Sequence, residues 1–207
     1  MRQVLYTASF ILLSGTALAQ QFTPPTTSLA QTPSGLYTLD KSHANIVFGV
    51  SHLGFSQYFG RFNAFDATLQ FDAKHPEKSK LEVIVDTTSG DSNNDKMNAK
   101  YDGEKFFNTA KFPTATFTST RIEKLSDARG KITGNLTLLG VTKPVTLDVT
   151  FNGAGMNPFA GKHTLGFSAT GRIKRSEFGM KEYLPAVGDE VNLMIEAEFN
   201  HSGAEKN

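Results

Sequence analysis

The side chains able to carry acid–base, nucleophilic or metal chemistry are few in this chain and poorly spaced for it. Its five histidines, at positions 43, 52, 75, 163 and 201, include no i, i+2 or i, i+4 pair, so a metal site would need distant strands to converge. Asp91 and Asp95 are close in sequence, but both flank an expected helix start, where carboxylates accept hydrogen bonds from free backbone N–H groups. There is no cysteine, which removes thiolate catalysis, disulfides, thiolate metal sites and a Cys-borne lipid anchor. No H-E-x-x-H, G-x-S-x-G or Walker-type glycine loop occurs.

What remains for polar work is His43, His52, Arg61 and Arg175. Each has two readings. The histidines can hydrogen-bond loop backbone, Arg61 can pair with Asp66 or cover an aromatic face, and Arg175 can join Arg172 and Lys174 in a solvated rim. Alternatively, all four stand at the mouth of a ligand cavity and contact a polar head group. A lipid-acting hydrolase or isomerase, using His43 or His52 with an Asp at that mouth, is the catalytic alternative. A ligand-free envelope stress protein with a filled core is the third.

Charge is nearly balanced, with 21 Lys plus Arg against 20 Asp plus Glu, so there is no electrostatic footprint for nucleic acid or another polyanion. The 17 Phe against 5 Tyr and no Trp make the ring surface almost wholly apolar, and its placement carries the rest of the reading.

Apolar residues recur at every second position after Leu36, which puts them on one face of successive strands. The rows are Ile46, Phe48 and Val50; Phe65 to Phe71; Leu81, Val83 and Val85; Ala115 and Phe117; Ile132 to Leu138; Val145 to Phe151; Leu165 to Ile173; and Val191 to Phe199. Tyr37 and Leu39 suggest a short opening strand. A change of phase near Ala64 predicts a bulge or bend, and the segments Gly140–Pro144 and His75-Pro76 read as hairpin connections. Only Ser92 to Phe107 breaks the rhythm, with Met97 and Tyr101 at i, i+4 behind Asn93-Asn94, which predicts a short capped helix across one end.

Eight long rows favour a closed antiparallel barrel over a sandwich, because closure removes exposed edges. A barrel of this size can hold one small ligand or be filled by its own side chains, and alternation alone weighs the two equally. An outer-membrane barrel is disfavoured by the short loops, the polar end of the chain and the lack of an aromatic girdle.

At the N-terminus, Arg2, the apolar run Val4–Leu13 and Ala17-Leu18-Ala19 fit a signal peptide at 1–19, cleaved after Ala19. The run is too short to span a membrane. Residues 20–35, rich in Gln, Thr, Pro and Ser, read as a flexible leader, and 201–207 as a polar tail.

The segment YTLDKSHANIVFGVSHLGFSQYFGRF at Tyr37 to Phe62 resembles the opening of the YceI-like family. The likeness continues through FFNTAKFPTATFTST at Phe106 to Thr120, LTLLGVTKPVTLDV at Leu136 to Val149 and GFSATGRIKRSEFGM at Gly166 to Met180. It covers Leu36 to Phe199 and departs from the usual family pattern at Asn98, Lys100 and Tyr101. The resemblance implies an all-β, extended, eight-stranded antiparallel lipocalin-like barrel over residues 36–200, exported to the periplasm, as a monomer or homodimer with at most transient membrane contact. It also implies an isoprenoid ligand, of quinone or polyprenyl phosphate type, that is bound, transported or stored without a covalent cofactor or a metal. The wall of such a cavity is then expected from Ile46, Phe48, Val50, Phe117, Leu136, Leu138, Phe167, Ala169, Leu193 and Ile195, with His43, His52, Arg61 and Arg175 near the head group.

Overall fold

The computed structural model describes residues 23–203, so the signal-peptide segment 1–19 lies outside the described residues. The strands are β1 (Gly35–His52), β2 (Ser56–Phe62), β3 (Phe65–Phe71), β4 (Lys80–Asp86), β5 (Gly90–Asp91), β6 (Thr114–Lys124), β7 (Arg129–Leu138), β8 (Val141–Asn157), β9 (Lys162–Lys174) and β10 (Val187–His201). All pair antiparallel in one sheet, and β10 returns to β1, with Ile46 opposite Ile195 and Phe48 opposite Leu193. The sheet is therefore closed and has no long free edge to protect.

Two staves of this barrel are bent. β2 and β3 pair with opposite halves of β1, and β5 carries the line of β4 onward beside β2. The breaks lie side by side. At the bend expected near Ala64, Ser89 accepts Asn63 N–H through its carbonyl and Ala64 N–H through Oγ, while Ala64 O accepts Asp86 N–H. Counting each bent pair once gives a closed eight-stranded antiparallel barrel. The Tyr37–Leu39 row is not a separate strand; it is continuous with the Ile46 row in β1, across a bulge that inserts residues between Leu39 and Ala44.

Local chemistry explains the connections. β7 and β8 are joined by Leu139–Gly140, both at positive φ, the conformation a two-residue hairpin turn needs to match strand twist. The connection at His75-Pro76 is a 3-10 turn over Pro76–Lys78. On the outer face, cross-strand pairs such as Thr133–Thr146, Thr137–Thr142 and Lys131–Asp148 tie neighbouring strands through polar side chains.

The apolar rows face inward and form two clusters. One end holds Tyr37, Leu39, Phe71, Phe151, Leu165 and Phe199. The other gathers Phe107, Phe117, Leu138, Leu147, Phe178 and Met180 around Tyr101. Tyr101 comes from the expected helix, α1 (Asp95–Tyr101), whose N-cap Asn94 accepts Met97 N–H through its side chain. Met97 and Tyr101 face the barrel interior from one side of α1.

The described part of the leader, residues 23–34, differs from the flexible reading drawn from its composition. Thr26 exchanges two backbone hydrogen bonds with Ala154 of β8, Pro33 O accepts the Tyr37 hydroxyl, and Ser34 Oγ accepts Ala73 N–H. These bonds supply the ordering that a polar, Pro-rich segment lacks on its own. At the other end His201, assigned to the polar tail, is the last residue of β10 and pairs with Tyr37.

Candidate ligand cavity

Inside the barrel is a cavity of about 830 Å³. That is in the upper part of the range of about 300–1,000 Å³ for small-molecule sites. All ten apolar residues expected on the wall line it: Ile46, Phe48 and Val50 from β1, Phe117 from β6, Leu136 and Leu138 from β7, Phe167 and Ala169 from β9, and Leu193 and Ile195 from β10. Period-two strands around a closed ring place them there, since every second residue must point at the axis.

The small residues among them work differently from simple spacers. Phe48 packs where a side chain on Gly60 would stand, Phe117 does the same at Gly134, and Leu147 at Gly171. Each bulky group leans onto a glycine of the adjacent strand and so lies along the wall. The lumen stays open beside it.

One rim of the cavity is made by His52, Leu53 and Tyr58 from the β1–β2 hairpin, Lys96 and Lys100 from α1, and Tyr183 from the loop before β10. Lys100 Nζ lies 5.8 Å from the centre of the Tyr183 ring, joining α1 to that loop by a cation–π contact. Just inside, Tyr101 meets Phe48 and Phe107 edge-on, at 6.0 and 5.5 Å between ring centres. Burial pushes the Tyr101 phenol up to about 12, so it remains protonated.

The four polar candidates separate. His52 is at this rim, 6.3 Å from the Tyr58 ring. Arg175 lines the cavity but is 4% exposed. Its guanidinium donates to Gly188 O, Met180 O and Val187 O at 2.8, 3.2 and 2.9 Å, so it organises the loop before β10. Burial draws its pKa down from the ordinary arginine value, opposed by the charge of Asp189.

His43 and Arg61 are not at the mouth, which corrects their expected placement. His43 sits on the β1 bulge, outside the barrel, with Nδ1 3.1 Å from Asp40 Oδ2. Arg61 precedes the inward Phe62 on β2, so alternation turns it outward, where it donates to Asn45 Oδ1 at 3.0 Å. The partner suggested for it, Asp66, pairs instead with Lys41 at 2.6 Å.

The bulge also brings His43 and Asp40 near Glu198 of β10, with ligand atoms of all three within 4.8 Å of one another, on the outer surface. Ser42 and His43 hydrogen bonds outweigh burial and hold the Asp40 carboxyl at about 2. Asp40, and then Glu198, raise the His43 imidazole above its ordinary value. Asp91 works as a loop cap, accepting from Asn93 N–H and from Asn98 Nδ2. Asn98 in turn accepts from Ser92, so this departure from the family pattern serves the helix start.

Several lining residues escaped sequence reasoning, namely Tyr58 and Phe62 on β2, Phe106 and Phe107 after α1, Met180, and Leu29 of the leader. Tyr58, Gly60 and Phe62 do alternate, but the exposed Phe59 between them and the missing side chain at Gly60 mask the period.

Comparison with known proteins agrees with this architecture. The YceI-like domain model matches residues 37–199. Protein YceI of Escherichia coli O6:H1 is 44% identical over 164 residues, 78% of this chain and 85% of that one. Among solved structures, BcnA of Burkholderia cenocepacia superposes with a TM-score of 0.69 at 25% identity, over 77% of this chain and 98% of the other. The Campylobacter jejuni YCEI protein gives 0.68 at 36% identity, over 81% and 98%. A polyisoprenoid binding domain from Saccharophagus degradans shares the fold, with a TM-score of 0.59 at 14% identity over 80% and 98%. Matched from Tyr37 to Phe199, across almost the whole of its barrel, the chain belongs to the YceI-like family.

Proposed function

We propose that this protein is a periplasmic carrier that holds the hydrocarbon tail of an isoprenoid lipid, a quinone or a polyprenyl phosphate, inside its barrel, with no covalent step. The observation that carries the reading is the cavity of about 830 Å³ walled by Phe, Leu, Ile and Val from every stave. Burying one CH₂ is worth about 0.8 kcal/mol, so each five-carbon unit contributes about 3–4 kcal/mol. A few units outweigh the association cost of about 4–15 kcal/mol. No ion pair is needed inside the wall, and the head group takes the rim of His52, Tyr58, Lys96 and Lys100.

The Saccharophagus degradans domain, described as binding a polyisoprenoid, supports this ligand class on the same fold. The signal-peptide pattern at 1–19 supports export to the periplasm. Against a hydrolase or isomerase stands the outward placement of the His43–Asp40 pair, away from the cavity.

Native mass spectrometry of the mature protein, purified without detergent, tests the proposal. A copurifying prenyl lipid is expected. An empty barrel that also excludes added prenyl lipids would overturn it.

A further inference from the structure

The end of the barrel opposite the Lys96–Lys100 rim is crossed by residues 23–34, which precede the family match at 37–199. This segment is a strap with two anchorages. On one side Thr26 N–H donates to Ala154 O at 2.7 Å and Thr26 O accepts Ala154 N–H at 2.8 Å, while Pro25 packs over Gly153 of β8. On the other, Pro33 O accepts the Tyr37 hydroxyl at 2.8 Å and Ser34 Oγ accepts Ala73 N–H at 2.9 Å. The strap thus runs from β8 to the β1–β3 side.

Between the anchors, the 3-10 turn Leu29–Gln31 is closed by Thr32 N–H donating to Leu29 O, with Thr32 buried beside it. Leu29 packs on the cluster of Leu39, Phe71, Phe151 and Phe199, and it lines the cavity. Pro76, Ser79, Ile122, Lys124 and Arg129 line the cavity at this same end, between the strap and the β6–β7 hairpin. At this end, among the side chains that bound the cavity, Leu29 is carried on a separately anchored segment, while Leu39, Phe71, Phe151 and Phe199 beside it sit on the strands.

From this geometry we infer that Leu29 is the tail stop, the residue that sets how long a hydrocarbon chain the barrel accepts. The inference rests on the carrier reading. A tail entering from the Lys96–Lys100 rim runs along the Phe and Leu wall until its end meets the Leu29 side chain. Shortening that side chain, or releasing the strap, lengthens the space left for the tail at this end. Enlarging the side chain shortens that space. The neighbouring Leu39, Phe71, Phe151 and Phe199 sit on paired strands and cannot move in this way without breaking the ladder.

The test measures dissociation constants of the mature protein for prenyl quinones of increasing tail length. In the wild type, affinity should rise with length and then level off. In Leu29→Ala the plateau should move to longer tails, with added units gaining on the order of tenfold or more before it. Leu29→Phe should move it to shorter tails. Thr26→Pro removes the donor to Ala154 without touching the barrel interior and should act like Leu29→Ala, which guards against a packing defect at position 29. A plateau at the same length in all four proteins overturns the tail stop and leaves the carrier reading standing. A wild type that binds no prenyl quinone of any length overturns both.

Discussion

The ring of Phe48 on β1 occupies the place where a side chain would stand on Gly60, its cross-strand partner on β2. The nearest obstacles to a Cβ there are ring atoms of Phe48 and the Tyr101 hydroxyl, all far ends of side chains that can move. Gly60→Ala should therefore push Phe48 off the wall and into the lumen. Overpacking of this kind costs about 1–3 kcal/mol. We expect a modest fall in melting temperature together with a clear loss of affinity for a prenyl lipid. Fluorescence displacement and thermal melts on the same preparation check it, and unchanged affinity with lowered stability would show that the ring is not part of the lumen wall.

That relationship also marks how far the sequence could be read. The rows were legible because a strand has only two faces, so Ile46, Phe48 and Val50 had to share one; alternation left open whether that face was the interior, and the structure turns it inward. The bend near Ala64 was legible as a change of phase. What the alternation could not carry was conformation outside the period. The bulge from Asp40 to His43 adds residues that shift the following register and carry His43 to the outside. The leader was polar by composition, yet Thr26 and Ser34 find partners on the barrel that composition does not reveal. The charge of Arg175 suggested a head group, whereas its acceptors are the carbonyls of Met180 in the loop and of Val187 and Gly188 at the start of β10, within thirteen residues along the chain.

Arg175 is thus expected to matter for stability. Arg175→Met leaves the carbonyls of Met180, Val187 and Gly188 without their donor, and a buried group left unpaired costs about 1–3 kcal/mol. Urea unfolding should show a loss of about 3 kcal/mol or more. Arg175→Lys should recover only part of it, because an ammonium cannot reproduce the planar fork. If Arg175→Lys were fully stable yet bound prenyl phosphates poorly, the guanidinium would belong to the head-group site after all.

The Asp40–His43 pair predicts how stability depends on pH. The folded pKa of His43 is raised, so its contribution is fully present below the unfolded value of 6.5 and fades as pH rises through the folded value. Asp40 is lowered to about 2, so its contribution is present above the unfolded value of 3.8 and is lost as pH falls toward about 2. Denaturation midpoints should therefore decline on the alkaline side of pH 6.5 in the wild type and decline less there in His43→Ala. Asp40→Asn should lower stability at neutral pH and flatten the acid limb below pH 3.8. Imidazole resonances followed by NMR should place His43 above 6.5 in the wild type and back near that value in Asp40→Asn.

On the carrier reading, Lys96 and Lys100 are expected to set which head group the rim prefers. Both line the cavity mouth, and neither is ion-paired among the described residues, whereas the neighbouring Glu182 is taken by Lys105 at 3.2 Å. Two ammonium groups without a carboxylate partner among the described residues, at an apolar opening, attract a phosphate far more than a neutral quinone ring, and the attraction of such exposed charges is screened by salt. With about 1 kcal/mol for each exposed pair, replacing both by Ala should weaken binding of a polyprenyl phosphate by about tenfold or somewhat more. Its salt dependence should flatten as well. Binding of a prenyl quinone with the same tail should change by no more than about twofold, since its affinity comes from the wall. Equal losses for the two ligands would mean that the lysine stems and the Lys100–Tyr183 contact shape the opening, and that charge does not select the head.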